Sequence, residues 1–370
     1  MLTLPIYLDH AATTFPDETV IDAMSACMRD HPFNASAAYS AAGSARRIHR
    51  LARRRIAGML TCPPEDIYFT SGGTEANNWV MRAFSGCSIV VSSIEHHSIL
   101  EAARASGCQI TKVNPDAAGF VSPEAIEKAI TPDTKLVCLQ AANNETGVIQ
   151  PIREVYALCR ARRIHLHVDA VQAFGHIPVS AETCDSMSLS AHKLYGPRGI
   201  GALYIRNRAA LPPLLLGGGQ ESSMRAGTEN TPAICGFDKA AQIAGEDMHL
   251  RMNRERELLD GFISLLKDAC EEIVLLGKER SRLPGVAAIL LPHISSEAAI
   301  AAMDLRGVMI SGGAACASHS GKPSHVYTAM GLSAEEASCV IRVSIGRHTT
   351  AEALSYAANA LIEIIHRQAR

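Results

Sequence analysis

Residues 186–197 read Ser186-Met-Ser-Leu-Ser190-Ala-His192-Lys193-Leu-Tyr195-Gly196-Pro197. The first five residues read as a strand, a basic pair follows at once, and Gly-Pro then breaks the chain direction. Further strands are predicted on either side, at 66–70, 88–92, 136–141, 165–169 and 201–206. Helical patterns lie between them at 76–84, 94–106, 122–129 and 152–162. Strand and helix alternating in this way predict βαβ units and an α/β fold with a mostly parallel sheet. Ligands bind such sheets at the C-terminal ends of the strands, which is where Lys193 falls.

Beyond residue 237 the pattern changes. A proline-free helical stretch runs from 237 to 273, weakened only at Gly245 and Gly261. Segments 286–291, 298–304 and 338–344 then suggest a smaller α/β unit, closed by a helix over 350–367. A chain of 370 residues accommodates about two domains and needs no disulfide or metal to hold its core. With 47% hydrophobic and 19% charged residues it is not disordered. A formal net charge of −2 argues against binding nucleic acid or anionic membrane by charge. No apolar run approaches the ~20 residues of a membrane span. The opening MLTLPIYLDHAATT lacks the basic and apolar regions of a signal peptide, so a cytoplasmic protein is expected. None of the eleven cysteines forms a C-x-x-C pair, and no metal site is expected.

Five segments carry candidate chemistry. Ser71-Gly72-Gly73-Thr74-Glu75 sits between a strand and a helix; it is either a tight capped turn or an anion site built from helix N–H groups. Lys193 is either a solvated lysine or an imine-forming nucleophile, with Ser190 and His192 beside it to hold a phosphate. Asp169 ends an apolar strand, as a helix cap or as the partner of a buried cation. A lysine for the Schiff base and an aspartate for the ring nitrogen are what pyridoxal phosphate requires. His96 could stack on such a ring or merely start a helix. Segment 311–322 is built of small residues that pack no core, so Cys316 reads as an exposed thiol. Arg342 lies in an apolar strand, and an arginine there needs either a substrate carboxylate or an internal acid.

Together these segments resemble the cysteine desulfurases (NifS-like), within the class V aminotransferase group of fold-type I pyridoxal-phosphate enzymes. The resemblance runs from YLDHAATT at 7–14 to IRVSIGRHTT at 341–350. It includes TSGGTEANN, IEHHSI, NNETGVIQPI, HVDAVQAFG, SLSAHKLYGPRGIGALY, GGGQE, MRAGTEN and SGGAACAS. It implies a large cofactor domain over 15–247, with a mostly parallel sheet and helices on both faces. A smaller α/β domain would comprise 1–14 and 248–370 and carry the Cys316 loop. Lys193 would form the Schiff base and move the Cα proton, Asp169 would pair with the ring nitrogen, and Gln172 would bond the ring hydroxyl. His96 would stack on the ring. Gly73, Thr74, Ser190 and His192 would hold the phosphate, joined by Thr228 from the second subunit of a homodimer. Asn144 and Arg342 would bind the substrate carboxylate. Cys316 would take the sulfur of L-cysteine as a persulfide, release alanine and pass the sulfur to an acceptor protein.

Two departures stand out. The family's N-P-x-S-x-H is here Phe33-Asn34-Ala35-Ser36-Ala37-Ala38-Tyr39, and Ser222-Ser223 follows GGGQE. These bear on the acceptor rather than on the cofactor; iron–sulfur cluster biogenesis, tRNA thiolation, molybdenum cofactor and selenium metabolism all stay open. Selenocysteine lyase, cyst(e)ine C–S lyase and class V aminotransferase are rival activities on the same fold. A degenerate, non-catalytic binding partner is disfavoured, because Lys193, Asp169, His96, Cys316 and Arg342 are all present.

Overall fold

The computed structural model describes residues 5–313 and 323–368. A short strand, β1 (Ile6–Tyr7), opens the chain. Seven strands then build the main sheet: β2 (Ile67–Thr70), β3 (Ser88–Ser92), β4 (Gln109–Val113), β5 (Thr134–Cys138), β6 (His165–Asp169), β7 (Ser186–Ser190) and β8 (Gly201–Ile205). Their order is β2-β8-β7-β6-β5-β3-β4, and β8 alone runs against the rest. The central strands β6 and β7 are buried on both faces, as parallel strands covered by helices must be, and the antiparallel β8 is buried with them. β4 escaped sequence detection because it is an edge strand, with Gln109, Thr111 and Lys112 exposed and no apolar run to mark it.

Helix starts follow local capping. The helix expected from residue 94 begins at His97, because His96 Nδ1 accepts the Ser98 N–H and serves as the N-cap. The long helix spans Thr231–Ala269 and starts earlier than its pattern suggested. Asn230 caps it, and Pro232 stands in the first turn, where its missing N–H costs nothing. This helix contributes Ile234, Phe237 and Ala241 to the core of the main sheet. Further along, Leu259, Phe262 and Leu266 enter a second core. It therefore runs through the expected boundary at residue 247.

The second core is built on β9 (Val274–Leu275), β10 (Val286–Leu290), β11 (Val308–Met309) and β12 (Val340–Ser344). β10 pairs antiparallel with both β9 and β12. β1 crosses over from the N-terminus to pair with β11, and Asp9 bridges to Ser344. The next residues, Ala11–Thr14, then run against the loop that follows β7. The two small sheets, β1-β11 and β12-β10-β9, thus meet the large one at the C-terminal ends of its strands.

Burial holds nine histidines neutral: His10, His49, His165, His176 and His192 are pushed down to about 4, His167 to about 3, and His96, His97 and His325 below their ordinary value. The unfolded chain takes up those protons near the ordinary value of about 6.5. Stability from these sites is therefore complete above about 6.5 and drains away as pH falls towards 4. Glu255 opposes them, because burial raises it to about 7 and the folded chain keeps its proton. Glu95, Glu145 and Asp66 are raised by burial as well, so four carboxylates oppose nine histidines. Urea midpoints followed by circular dichroism are expected to fall steeply between pH 6.5 and 4. A flat or rising profile would contradict the burial of these rings.

Candidate active site

The ends of β6 and β7 open on a cleft of about 270 Å³, roofed by the N-terminal segment and by Arg342 of β12. Its floor carries Lys193, one short turn after β7, whose Nζ donates to the carbonyls of Ala11 at 2.5 Å and Ala12 at 2.7 Å. These carbonyls belong to the segment that follows β1, so the amine is held where the small sheets meet the large one.

One end of the cleft is shaped for an anion. Gly73 and Thr74 begin the helix Gly73–Ala83, and with Ser190 and His192 they line both the cleft and an adjoining recess of about 340 Å³. The glycines are required by close packing. A Cβ on Gly73 would lie 2.4 Å from Val171 Cγ2, and one on Gly201 would lie 2.7 Å from the Gly72 Cα. Burial, and then the charges of Lys193 and Arg198, push His192 down to about 4, and its Nδ1 lies 3.1 Å from Thr13 Oγ1. A neutral imidazole, two hydroxyls and the N–H groups of a helix start are the kind of donors that could hold an anion.

The middle of the cleft carries Asp169, His96 and Gln172. Asp169 Oδ1 accepts the Val171 N–H at 2.9 Å, and Oδ2 accepts from Asn77 Nδ2 at 2.7 Å. Burial pushes His96 below its ordinary value, so its ring is neutral near pH 7. Its Nδ1 accepts from Ser98, which places its one proton on Nε2. Gln172 Oε1 is buried and has no partner among the described residues.

At the other end, Arg342 is 1% exposed. Its Nη2 contacts Asp9 Oδ1 at 2.6 Å and its Nη1 donates to the Asn144 carbonyl at 2.9 Å. The internal acid left open by the sequence therefore exists. Arg342 still lines the cleft beside Asn144, and its buried Nε has no partner among the described residues. Thr228 is exposed and does not line the cleft of its own chain. Cys316 lies outside the described residues, but both flanks of that segment are anchored near the site. Ser311 pairs with Arg342 through the backbone, Ser324 Oγ donates to Glu145 Oε2 at 2.6 Å, and His325 Nε2 bonds the Glu95 carbonyl at 3.0 Å. Seven of the other thiols, Cys27, Cys62, Cys108, Cys138, Cys159, Cys184 and Cys235, are pushed up by burial and stay protonated.

Some motif residues are braces rather than reactants. Glu221 of GGGQE is buried, pairs through both oxygens with Arg53 at 2.7 and 2.9 Å, and accepts the Phe69 N–H. Arg225 of MRAGTEN pairs through two nitrogens with Glu75 at 2.9 and 3.1 Å. Sequence reasoning missed Asn77 and Ser98, which also line the cleft. They sit inside helical patterns, where a single polar residue carries no distinguishing mark.

The profile of the class-V aminotransferases matches residues 6–356. The chain belongs to this family. Among the class-V aminotransferases it is 39% identical to cysteine desulfurase IscS of Dictyoglomus turgidum, covering 98% of this chain and 95% of that one. It is also 39% identical to the mitochondrial cysteine desulfurase of Saccharomyces cerevisiae, over 97% of this chain and 74% of the other. In structure it is similar to a NifS-like protein, with a TM-score of 0.91 at 31% identity over 98% of this chain and all of that one. A NifS-like protein from Rickettsia africae gives a TM-score of 0.90 at 31% identity, over 99% of this chain and all of that one. The class-V aminotransferase fold expected from the sequence is therefore the one observed.

Proposed function

We propose that this chain is an L-cysteine desulfurase that works with pyridoxal phosphate, releases L-alanine and carries the sulfur as a persulfide on Cys316. The observation that supports it is the gathering of Lys193, Asp169, His96, Gln172 and an anion recess around one cleft, in a chain so similar to cysteine desulfurases. The residues suit the cofactor. The recess offers neutral donors to a phosphate, Asp169 offers a carboxylate to a ring nitrogen, and the unpartnered amide of Gln172 suits a ring hydroxyl. Pyridoxal phosphate, when bound, supplies the electron sink that lets bonds to Cα and Cβ of an amino acid break.

The chain's own groups do the rest. Arg342 and Asn144 orient the substrate carboxylate. The Lys193 amine moves the proton at Cα, and the neutral His96 ring covers the cofactor face and keeps water away. The Cys316 thiolate forms an S–S bond to the substrate sulfur as the Cβ–S bond breaks, and Cβ takes up a proton. Thiol plus cysteine becomes persulfide plus alanine, so atoms and electrons balance. The reading also includes a homodimer, with Thr228 reaching the partner's phosphate recess, and a sulfur-acceptor protein. It places the protein in the cytoplasm, where unpaired cysteines are kept reduced. The ten cysteines described are all free, and none of the described helices is long and apolar enough to cross a membrane.

Incubating the holoprotein with L-cysteine and a thiol reductant is expected to yield alanine and sulfide in equal amounts. Cys316→Ala is expected to lose both. Pyruvate and ammonia in place of alanine, or turnover indifferent to Cys316, would move the protein to the C–S lyase reading.

A further inference from the structure

A row of side chains leads from the cleft into the sheet. Asp169 Oδ2 accepts one N–H of the Asn77 amide at 2.7 Å, and the other N–H goes to Ser98 Oγ at 2.8 Å. Asn77 Oδ1 lies 3.0 Å from His167 Nε2. His167 Nδ1 lies 2.9 Å from Ser186 Oγ, which in turn lies 2.8 Å from His165 Nε2. Asn77, His167 and Ser186 are 0–1% exposed, so no solvent competes for these bonds.

Chemistry permits one direction along this row. Flipping the amide would set Oδ1 against the Asp169 carboxylate, so both N–H groups must face Ser98 and Asp169. Asn77 Oδ1 must then accept the His167 Nε2 proton. Burial keeps His167 neutral, so Nε2 carries its only proton and Nδ1 accepts the Ser186 hydroxyl. Ser188 Oγ, 3.3 Å from Nε2, shares that proton. Each donor points towards Asp169, and the row ends on the one carboxylate lining the cleft among the described residues.

We propose that Asn77, oriented by His167, is a positioning residue that sets the plane of the Asp169 carboxylate towards the cofactor ring. The inference rests on the pyridoxal phosphate reading above. Val171 N–H fixes one carboxylate oxygen and Asn77 the other, so the plane is defined and the remaining lone pairs are free for a ring N–H. A water-exposed aspartate would rotate; this one is clamped from behind by groups that never touch the cofactor's reacting atoms.

The test compares wild type, Asn77→Leu, His167→Leu, His167→Gln and Asp169→Asn, each reconstituted with pyridoxal phosphate. The readouts are cofactor affinity, the visible circular dichroism of the bound ring, kcat and KM for cysteine, and thermal unfolding of the cofactor-free forms. Asn77→Leu is expected to weaken cofactor binding and lower kcat by about 10- to 100-fold each, the value of one charge-assisted bond. It is expected to alter the visible dichroism and leave KM within about 2-fold. His167→Leu should act in the same direction more weakly, and His167→Gln, which keeps a donor, should recover part of the loss. Should Asn77→Leu not fold, the His167 pair carries the same comparison. Wild-type dichroism, affinity and kcat in the variants, whatever their melting temperature, would overturn the proposal. If wild type takes up no pyridoxal phosphate, or Asp169→Asn leaves the dichroism unchanged, the parent reading fails instead.

Discussion

Lys193→Ala is expected to lower kcat by at least about 10⁴-fold and to abolish the visible absorbance of covalently held cofactor. On the proposed function two roles disappear together, a covalent attachment point and a proton carrier, and acid–base catalysis alone is commonly worth about 10²–10⁴. Lys193 is the only amine among the described residues that line the cleft. Its Nζ is held by two backbone carbonyls of the N-terminal segment that lines the same cleft, at Ala11 and Ala12. A substituted side chain elsewhere has no route to that position. The change should cost little stability, because those carbonyls can rebind to water that fills the shortened side chain's place. Small primary amines added to the medium are expected to restore part of the rate by standing in for the missing group. Near-normal turnover in Lys193→Ala would transfer the proton step to His96 and undo the assignment.

Arg342→Ala is expected to produce the second large effect, split between fold and substrate. Arg342 is 1% exposed and its cation balances Asp9, while Asn144 loses a donor to its carbonyl. Removing one partner of a buried pair costs about 3–5 kcal/mol, a large share of a total of about 5–15 kcal/mol. The same guanidinium lines the cleft with its Nε unpartnered, so KM for cysteine is expected to rise about 10- to 100-fold. The two effects can be separated. Adding Asp9→Asn to Arg342→Ala removes the stranded carboxylate and should recover much of the stability while KM stays high. If KM is unchanged in the single variant and only the unfolding midpoint falls, Arg342 belongs to the fold alone.

Some of this protein could be read without coordinates because local chemistry determines it. The alternation of strands at 88–92, 165–169 and 186–190 with helical patterns points to a parallel sheet, since each intervening helix carries the chain back to start the next strand in the same direction and covers a face of the sheet. Lys193, Asp169, His192 and Thr74 were legible because each follows directly from the end of a strand or the start of a helix. The edge strand β4 was not, because its exposed polar residues resemble a loop.

What pairs with what had to await the tertiary structure. That Asp9, 333 positions from Arg342, is the arginine's acid depends on β1 crossing to β11 and on the Asp9–Ser344 bridge. That Ala11 and Ala12 hold the Lys193 amine depends on the same crossing. Asn77 shows the limit most clearly: in the sequence it is one polar residue within a helix, and only stacking that helix on β6 brings it against His167 and Asp169. Sequence periodicity specifies which face of an element is buried, because that is a property of neighbours along the chain. Hydrogen-bond partners between elements are set by how those faces pack, and that is a property of the whole fold.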